Sequence, residues 1–336
     1  MSSLHDVARL AGVSKTLVSR VVNHQSGVSE KNRERILEAI KALNYKPNAM
    51  ARSLVTQQTK IIGVVMDTLC EPYFFPMIQG IEEAANSSDY DLAFASGQGS
   101  ITQKTHAIHF FLEGRSDGII LYGSRRDDDA LIHSLAEERF PFVVVENTFD
   151  ELDIENVSLD NAYGTHLIVE HLMRRGCRRI AHMSGDPIYQ VSQTRQKGYL
   201  DAVEQFGLPL DQHLLIPATF DVAGSYQAMR RYLEETPREM LPDGLCCSSD
   251  NAAYGAIIAL EEKGLRVPQD ILVGGFDDDI PPRDYHYASL TTLAQPLPEM
   301  ARSAFQLLLK RIEKPEEAFR KLVFYPRLVV RQSTMK

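Results

Sequence analysis

The chain has 336 residues, 44% of them hydrophobic, and a formal net charge of −9. This length exceeds one ordinary domain and the apolar content is ample for a buried core, so two or three globular domains are expected. No apolar run reaches the roughly 18 residues of a membrane span, and the first ten residues lack the cationic start and apolar run of a signal peptide, which favours a cytoplasmic protein with no membrane partner.

The charge is unevenly distributed along the chain. Residues 1–60 hold ten Lys or Arg against four Asp or Glu, a net charge of +6, so the remainder carries −15. Phosphate neutralisation by Lys and Arg supplies most of the sequence-independent affinity for nucleic acids. A small basic module on an acidic body therefore indicates a nucleic-acid partner.

Two short helices joined by a tight turn are predicted in VARLAGVSKTLVSRVVN, residues 7–23. Apolar residues recur at helical spacing on both sides of Gly12, which permits a left-handed turn, and the Ser14 side chain is suited to cap the second helix. A third amphipathic helix follows in SEKNRERILEAIKALNY. The residues expected to pack it against the first two helices are Ile36, Leu37, Ile40 and Leu43. This pattern predicts a helix-turn-helix; a packing domain with merely solvated basic residues is the alternative.

The polar face of the second helix is suited to the major groove of DNA. Its members are Lys15, Thr16, Ser19, Arg20 and Asn23. Arg grips guanine in a bidentate way, and hydroxyls reach bases or phosphates. Pro47 ends the third helix, and the segment after it is too short for a stable helix alone, so this linker is expected to order only on DNA or on a partner chain. Leu54 in the linker suits a minor-groove wedge, with packing against the body as the alternative.

From residue 60 onward, apolar runs alternate with amphipathic helical segments. The candidate strands are KIIGVVMD, YDLAFAS, DGIILYG, FVVVEN, RRIAHMSG, HLLIPATF, GLCCSS and ILVGGFD. Continuous apolar strands alternating with helices predict parallel sheets covered on both faces, and this number of strands suits two doubly wound lobes better than one. Such lobes bind ligands where the carboxyl ends of their strands face a common cleft.

Polar and aromatic residues at these predicted strand ends are the ligand candidates. They are Asp67, Tyr73, Phe74, Asn147, Asp160, Arg195, Phe220, Asp250 and Asp277. Carboxylates and Arg satisfy several hydroxyls at once, while aromatic rings stack on a pyranose or a planar base. For each Asp, a helix N-cap is an equally good interpretation. The run Asp127 to Asp129 is interpreted as a solvated loop and helix start, and Asp278 and Asp279 as surface or hinge residues.

Signatures of enzymes, cofactors and metal sites are weak. The sequence has no GxxxxGK[ST], GxSxG or HExxH motif, and Thr102 stands where the third glycine of a dinucleotide fingerprint starting at Gly97 would fall. The four cysteines lack CxxC spacing and are interpreted as reduced core thiols. We therefore expect no catalytic site, no cofactor and no bound metal.

Several stretches together are highly specific. They are LHDVARLAGVSKTLVSRVVN, VSEKNRERILEAIKALNYKPNAMARSL, IIGVV, VSLDNAYG, RRIAHMSG, TRQKGY, CSSDNAAYGAIIAL, GLRVPQDILVGGFDD, SLTTLAQP and RLVVRQST. Through them the chain resembles, from end to end, the transcription regulators of the LacI/GalR family. The resemblance implies a homodimer bound to a near-palindromic operator, with Leu54 in the minor groove at its centre.

The family pattern assigns roles to individual DNA-binding positions. Lys15, Thr16 and Arg20 occupy positions that read major-groove bases in the family. The positions of its backbone contacts are Ser14, Ser19, Asn23, Ser29 and Asn48. Leu17 departs from the pattern, because many members have a phosphate-binding Thr there, and this departure puts one contact in doubt.

The same pattern implies the effector site and the domain organisation. Its effector contacts fall at Tyr73, Phe74, Asp160, Arg195, Phe220 and Asp277, with Asp250 near the cleft. The implied fold is an N-terminal all-α helix-turn-helix domain followed by a two-lobed, periplasmic-binding-protein-like α/β core of doubly wound parallel sheets. The expected divisions are residues 1–46 for the DNA-binding domain, 47–59 for the hinge, 60–159 plus 290–319 for the N-subdomain, and 160–289 plus 320–336 for the C-subdomain. No leucine-heptad extension follows RLVVRQST, which favours a dimer over a tetramer.

The predicted function is therefore a DNA-binding transcriptional repressor controlled by a small polar effector, with a sugar or sugar derivative as the first choice. A purine or a protein corepressor in the same role is one alternative, since Tyr73 and Phe74 suit a base as well as a sugar. A sugar-binding protein without regulatory function is another, and binding of operator DNA discriminates against it.

Overall fold

Capping interactions set the limits of the first two helices in the computed structural model of the chain. The described residues are 2–22, 25–45, 58–123, 125–279, 281, 283 and 285–335. Helix α1 (Leu4–Ala11) begins with a reciprocal pair of hydrogen bonds between Ser3 and Asp6, and it ends at Gly12, whose φ of 63° is left-handed. Helix α2 (Lys15–Val22) begins where the Leu17 N–H donates to Ser14 Oγ at 3.3 Å. The predicted turn and cap are both confirmed.

The first of two units, residues 1–59, has a small apolar core between α1, α2 and α3 (Glu30–Ala42). Its buried members are Val7, Ala8, Ala11, Val18, Val21, Ile36 and Ala39. Ile40 and Leu43 pack against this core as predicted. Leu37 does not, since its side chain is 52% exposed. One residue step turns a helix by about 100°, which carries Leu37 away from the face centred on Ile36.

The second unit, residues 60–336, contains two parallel sheets. The first lobe holds β1 (Ile61–Met66), α4 (Phe75–Asn86), β2 (Asp91–Ser96), α5 (Ile101–Leu112), β3 (Gly118–Gly123), α6 (Asp129–Glu137), β4 (Phe142–Glu146) and β5 (Glu155–Leu159). Every residue of β3 and β4 is buried, as expected for central strands covered on both faces.

The second lobe repeats the alternation with a smaller sheet. It holds α7 (Asn161–Arg174), β6 (Ile180–Met183), α8 (Gln190–Gln205), β7 (Leu215–Ile216), α9 (Val222–Glu235), β8 (Gly244–Cys247), α10 (Asp250–Glu262) and β9 (Leu272–Gly274). The strand order is β7-β6-β8-β9, with parallel neighbours. All eight predicted strands are therefore present, four in each lobe.

The last part of the chain passes between the lobes. Its elements are β10 (Thr292–Ala294), α11 (Leu297–Glu313), β11 (Lys321–Phe324) and β12 (Arg327–Val329). Helix α11 packs on α4 and on strands of the first sheet, whose order is β11-β5-β4-β3-β1-β2. Strand β11 pairs in parallel with β5, with Leu322 opposite Val157. Residues 321–324, expected in the C-subdomain, thus lie in the first sheet, because that pairing extends the sheet at its edge.

Side-chain chemistry outside the sheets differs from expectation at one cysteine. Cys177, Cys246 and Cys247 are buried, whereas Cys70 is exposed, so the interpretation of all four as core thiols was wrong for Cys70.

Within the described ranges, no group of three or more His, Cys, Asp or Glu is placed to hold a metal ion. A search of the same residues finds no helix with the length and apolar character needed to cross a membrane.

Candidate functional site

An open cavity, with about 700 Å³ of empty space that includes its solvent-filled mouth, lies at the carboxyl ends of strands from both lobes. Five predicted effector residues line it: Tyr73 and Phe74 from the first lobe, and Arg195, Phe220 and Asp277 from the second. Topology explains their meeting, because the carboxyl ends of parallel strands in two facing lobes share one cleft.

The other two predicted effector residues, Asp160 and Asp250, are outside the cavity wall. Asp160 caps α7, where its Oδ1 accepts a hydrogen bond from the Tyr163 N–H at 2.9 Å. Asp250 is buried and accepts hydrogen bonds from the Thr292 hydroxyl at 2.5 Å and the Asp279 N–H at 2.8 Å. Asp250 therefore holds the segment that carries Asp277 and Asp279 in place.

Further lining residues were not predicted as effector contacts. They are Asp67, Thr68, Glu71, Tyr122, Glu146, Tyr189, Val191, Ser249, Asn251 and Asp279. Asp67 is one of the strand-end candidates, and the same rule applied to β3 and β4 would have found Tyr122 and Glu146. Asp279 was wrongly assigned to the surface or hinge. Asn147 is a strand-end candidate that does not line the cavity; it is buried and donates to the Arg125 carbonyl at 3.0 Å.

Arg195 is fixed in the cavity wall by several interactions. Its Nε donates to Asn161 Oδ1 at 2.8 Å, and one terminal nitrogen lies 2.5 Å from the Ser248 carbonyl and 3.3 Å from Asp277 Oδ1. The guanidinium also lies over the Phe276 ring, 3.6 Å from its centroid. The side chain is only 3% exposed, so these interactions hold the guanidinium in one orientation before any ligand binds.

A chain of hydrogen bonds joins the two lobes across the cavity. The Tyr122 hydroxyl hydrogen-bonds with Glu146 and lies 3.2 Å from the Tyr73 hydroxyl; its single proton goes to Glu146 when that carboxyl is ionised and to Tyr73 when Glu146 is protonated. Tyr73 donates to Gln295 Oε1 at 3.4 Å, and Gln295 Nε2 donates to Asp277 Oδ1 at 2.7 Å. Gln295 follows β10 in a segment that crosses between the lobes, and it connects Tyr73 of the first lobe with Asp277 of the second.

Two carboxyl groups of this chain occupy strained backbone positions. Glu146 has a φ of 85° and Asp277 a φ of 116°, in a region that favours glycine. Such strain persists where the surrounding structure imposes it, and it concentrates at binding sites. Burial raises the pKa of Glu146 to about 7, against the hydrogen bond from Tyr122, and raises that of Asp277 to about 7, against the charge of Arg195.

The raised pKa of Asp277 predicts a specific dependence of stability on pH. A carboxyl whose folded pKa lies above its unfolded value of 3.8 stabilises the fold at low pH and loses that contribution as pH rises towards 7. We expect the Asp277→Asn variant to lack this contribution, so its free energy of unfolding relative to wild type should rise by about 2 kcal/mol between pH 5 and 7.5. Urea unfolding of both ligand-free proteins at four pH values measures it. A difference that stays constant with pH would contradict the prediction.

A buried ion cluster lies directly behind the cavity wall. Lys104 Nζ contacts the carboxylate of Asp67 and lies 2.6 Å from Asp128 Oδ2. Lys104 and Asp128 are both 0% exposed, so the interpretation of Asp128 as part of a solvated loop was wrong. Lys104 lies on the buried stripe of α5 with Ile108 and Phe111. This i, i+4, i+7 spacing was the signal available in the sequence.

The two lobes also contact each other at the mouth of the cleft. The Arg126 N–H donates to the Ile188 carbonyl at 2.8 Å. The Thr148 N–H donates to Gln190 Oε1 at 2.8 Å, and Gln190 Nε2 returns a hydrogen bond to the Thr148 carbonyl at 3.1 Å. Since Tyr189 lines the cavity between these contacts, a ligand that moves its ring also acts on them.

The predicted DNA-binding residues of α2 form an exposed surface in the first unit. Ser14, Lys15, Thr16 and Arg20 are exposed, and Ser19 is half-buried. Ser29 is exposed at the N-terminus of α3 and makes no side-chain cap, so its hydroxyl remains available. Asn23, Asn48 and Leu54, and with them most of the predicted hinge, lie outside the described residues.

Leu17 departs from the family pattern for a visible packing reason. Its side chain is partly buried and packs against the helix-turn-helix core. A side chain in that position stabilises the unit instead of reaching outward.

Comparisons with known proteins agree with this architecture. A family model for bacterial regulatory proteins of the lacI family matches residues 3–48, and one for a periplasmic binding protein-like domain matches residues 169–334. The ribose operon repressor of Haemophilus influenzae is 33% identical, covering 99% of this chain and 98% of the relative. The transcriptional repressor PurR of Erwinia tasmaniensis is 35% identical, covering 99% and 97%.

A solved structure extends the similarity to both units. The crystal structure of the lac repressor dimer bound to operator and the anti-inducer ONPF has a TM-score of 0.87 and 28% sequence identity, covering 100% of this chain and 99% of that chain. The two sequence relatives are transcriptional repressors, not enzymes. With the helix-turn-helix and the two-lobed core, this similarity over nearly the whole length shows that the chain belongs to the LacI family of bacterial DNA-binding regulatory proteins.

Proposed function

We propose that the chain is a dimeric cytoplasmic repressor that binds a near-palindromic operator and whose cleft binds a sugar or sugar derivative. The mixture of groups in the cavity wall carries the proposal. Carboxyls and Arg195 are suited to accept from and donate to neighbouring hydroxyls, while the Tyr189 and Phe220 rings supply apolar surface for the face of a sugar ring.

In the proposed mechanism, the effector changes the relative stability of two lobe arrangements. The hydrogen-bonded chain through Gln295 and the contacts at the cleft mouth both join the lobes, so they are the groups on which a bound ligand acts. An effector shifts such an equilibrium only by its difference in affinity for the two states, typically about 1–3 kcal/mol. The predicted hinge, residues 47–59, is the element whose order would then change.

A purine effector is the second candidate. The similarity to PurR supports it, and Tyr73 in the cavity wall offers a ring for stacking on a base. Nucleobases therefore belong beside sugars in any binding panel.

Operator selection tests the proposed function. The full-length protein is used to select duplexes from a random-sequence library, and the dissociation constant of the winning site is then measured at fixed salt with and without each panel compound. We expect a near-palindromic site and at least one sugar that changes its affinity about 5- to 150-fold. Binding with no preference beyond the salt-dependent, sequence-independent term would contradict the repressor assignment.

The Arg20→Ala variant tests the base-reading surface. If Arg20 grips a guanine, its loss should weaken the selected site by about 1–3 kcal/mol and relax preference at one position in each half-site. Lys41→Ala is the matched control, because it removes one exposed positive charge of the same unit from outside the predicted set. An equal loss on all sequences for Arg20→Ala would assign this residue to phosphate instead.

A further inference from the structure

We infer that the effector of this chain is an uncharged polyhydroxylated compound, a free sugar, and that the cleft excludes its phosphate esters. The inference deepens the proposed function and rests on the cleft being the effector site. Its basis is the distribution of charge in the cavity wall and the state of the positive groups near it.

The wall of the cavity is strongly acidic. Among its described lining residues, Asp67, Glu71, Glu146, Asp277 and Asp279 carry carboxyl groups, and Arg195 alone carries a positive charge. Carboxylates accept hydrogen bonds from the hydroxyls of a neutral ligand, and they repel an anion. In a partly buried cleft this repulsion is screened less than at the surface.

Arg195 is already engaged by protein groups. Asp277 balances its charge. Asn161, the Ser248 carbonyl and Asp277 accept three hydrogen bonds from it, and the Phe276 ring covers one face of the guanidinium. What remains for a ligand is the second terminal nitrogen. The two N–H groups of this nitrogen, on a guanidinium whose charge is balanced, can donate to a hydroxyl. Recognition of a phosphate instead uses two parallel hydrogen bonds from a guanidinium whose charge is not compensated by the protein.

Two further cations at the same strand ends are also paired. Lys104 is buried between Asp67 and Asp128. Arg125 makes a bidentate pair with Asp127, at 2.8 and 2.7 Å, and donates to the Gly99 carbonyl at 3.0 Å. Neither can turn to a ligand phosphate without leaving a carboxylate unpaired, which is costly for the buried pair.

The acidic wall also meets the positive end of a helix. Ser249 and Asn251 line the cavity at the start of α10, where the Ser249 hydroxyl accepts from the Ala252 N–H and Asp250 lies in the first turn. Burial raises the pKa of Glu146 and that of Asp277 to about 7, so both carboxyls are mostly ionised at pH 7.5, where they accept from a neutral hydroxyl and repel an anion.

A sensor with this selectivity responds to a sugar before it is phosphorylated. The reactions that supply its ligand are those that deliver a free sugar, such as the hydrolysis of a glycoside. A phosphoryl transfer to the sugar converts the ligand into an ester that the cleft does not bind.

Matched pairs of sugars and phosphate esters test the inference on the full-length protein. Calorimetric titrations at pH 7.5 compare glucose with glucose 6-phosphate, ribose with ribose 5-phosphate, and galactose with galactose 6-phosphate. We expect at least one free sugar to bind, with its phosphate ester at least 100-fold weaker. An ester that binds as tightly as its sugar would overturn the inference.

The remaining outcomes separate this inference from the proposed function. Binding of an ester with retained sugar affinity leaves the sugar-responsive repressor intact and removes only the charge selectivity. Binding of a nucleobase and of no sugar in the panel overturns both.

A charge variant tests the cause of the selectivity. Glu71→Gln removes one exposed carboxyl of the wall and should reduce the ratio between sugar and ester affinities at least 3-fold. Glu82→Gln on α4 is the control, since Glu82 is exposed and does not line the cavity; it should leave the ratio unchanged. An equal ratio in all three proteins would overturn the electrostatic explanation.

Discussion

Replacing Lys104 with methionine is expected to lower the free energy of unfolding by about 3–5 kcal/mol, a large part of the stability of an ordinary domain. The substitution keeps a chain of similar length on the buried stripe of α5 but removes the ammonium group that lies between Asp67 and Asp128. Asp128 is then an uncompensated carboxylate with no exposed surface, and burial already raises its pKa against the opposing effect of Lys104. Urea unfolding monitored by far-ultraviolet circular dichroism measures the change.

Two further variants show whether the cost comes from the stranded charge. Lys104→Met combined with Asp128→Leu should be more stable than Lys104→Met alone, because the second change removes the carboxylate that the first leaves unpaired. Lys310→Met is the surface control, since Lys310 pairs with Glu317 at 2.7 Å and both side chains are about one-third exposed; its cost should stay below about 1 kcal/mol. If the free energy of unfolding of Lys104→Met is within 1 kcal/mol of the wild-type value, the prediction is wrong, and water or another cation must stabilise the two carboxylates.

This cluster marks the limit of what hydrophobic patterning reveals. The eight predicted strands are all present, because each is a run of apolar residues between turn signals. Strand β5 was missed: its sequence ENVSL is polar, yet every residue is buried. Glu155 is compensated by Arg311 at 2.6 Å, and the Asn156 side chain donates to the carbonyls of Val144 and Asn147. Arg311 lies 156 residues from Glu155, and the carbonyls that Asn156 reaches come within its range only when β4 and β5 pair, so only the folded chain shows that the polarity is satisfied.

The candidate site shows the same division between local and long-range information. The rule that ligands bind at the carboxyl ends of parallel strands was enough to bring Tyr73, Phe220 and Asp277 to one cavity. It did not separate residues that face the cavity from those that bond only within the protein: Asp160 caps α7, and Asp250 accepts from Thr292 and from the Asp279 N–H. Which side an aspartate faces depends on which N–H groups the fold brings within reach, and for Asp250 that group is the N–H of Asp279.

The hydrogen-bonded chain through Gln295 was equally inaccessible from the sequence. Tyr73 and Asp277 were separate candidates, and nothing in their spacing indicates that one glutamine bonds to both. Gln295 comes after β10, which pairs with β12 in a small antiparallel sheet. The segment that joins the lobes therefore also joins two residues of the cavity wall.

Gly185→Ala is expected to displace the Phe220 ring and thereby weaken effector binding about tenfold or more. Gly185 follows β6, and a Cβ atom built there lies 2.3 Å from Phe220 Cζ and 2.6 Å from Cε2. The ring lines the cavity and makes an edge contact with Tyr189 at a centroid distance of 5.5 Å, so it cannot retreat without changing the wall. Overpacking of this kind also costs about 1–3 kcal/mol of stability.

A double-mutant cycle separates the steric cause from a general loss of fold. Phe220→Leu removes the ring atoms that the new methyl group meets, so Gly185→Ala combined with Phe220→Leu should be more stable than the sum of the single changes predicts, by about 1 kcal/mol or more. Calorimetric titration with the effector and urea unfolding are carried out on all four proteins. Additive stability changes would show that Gly185 and Phe220 do not compete for space. Unchanged effector affinity in Gly185→Ala would remove Phe220 from the binding surface, because the ring cannot keep its position beside that methyl group.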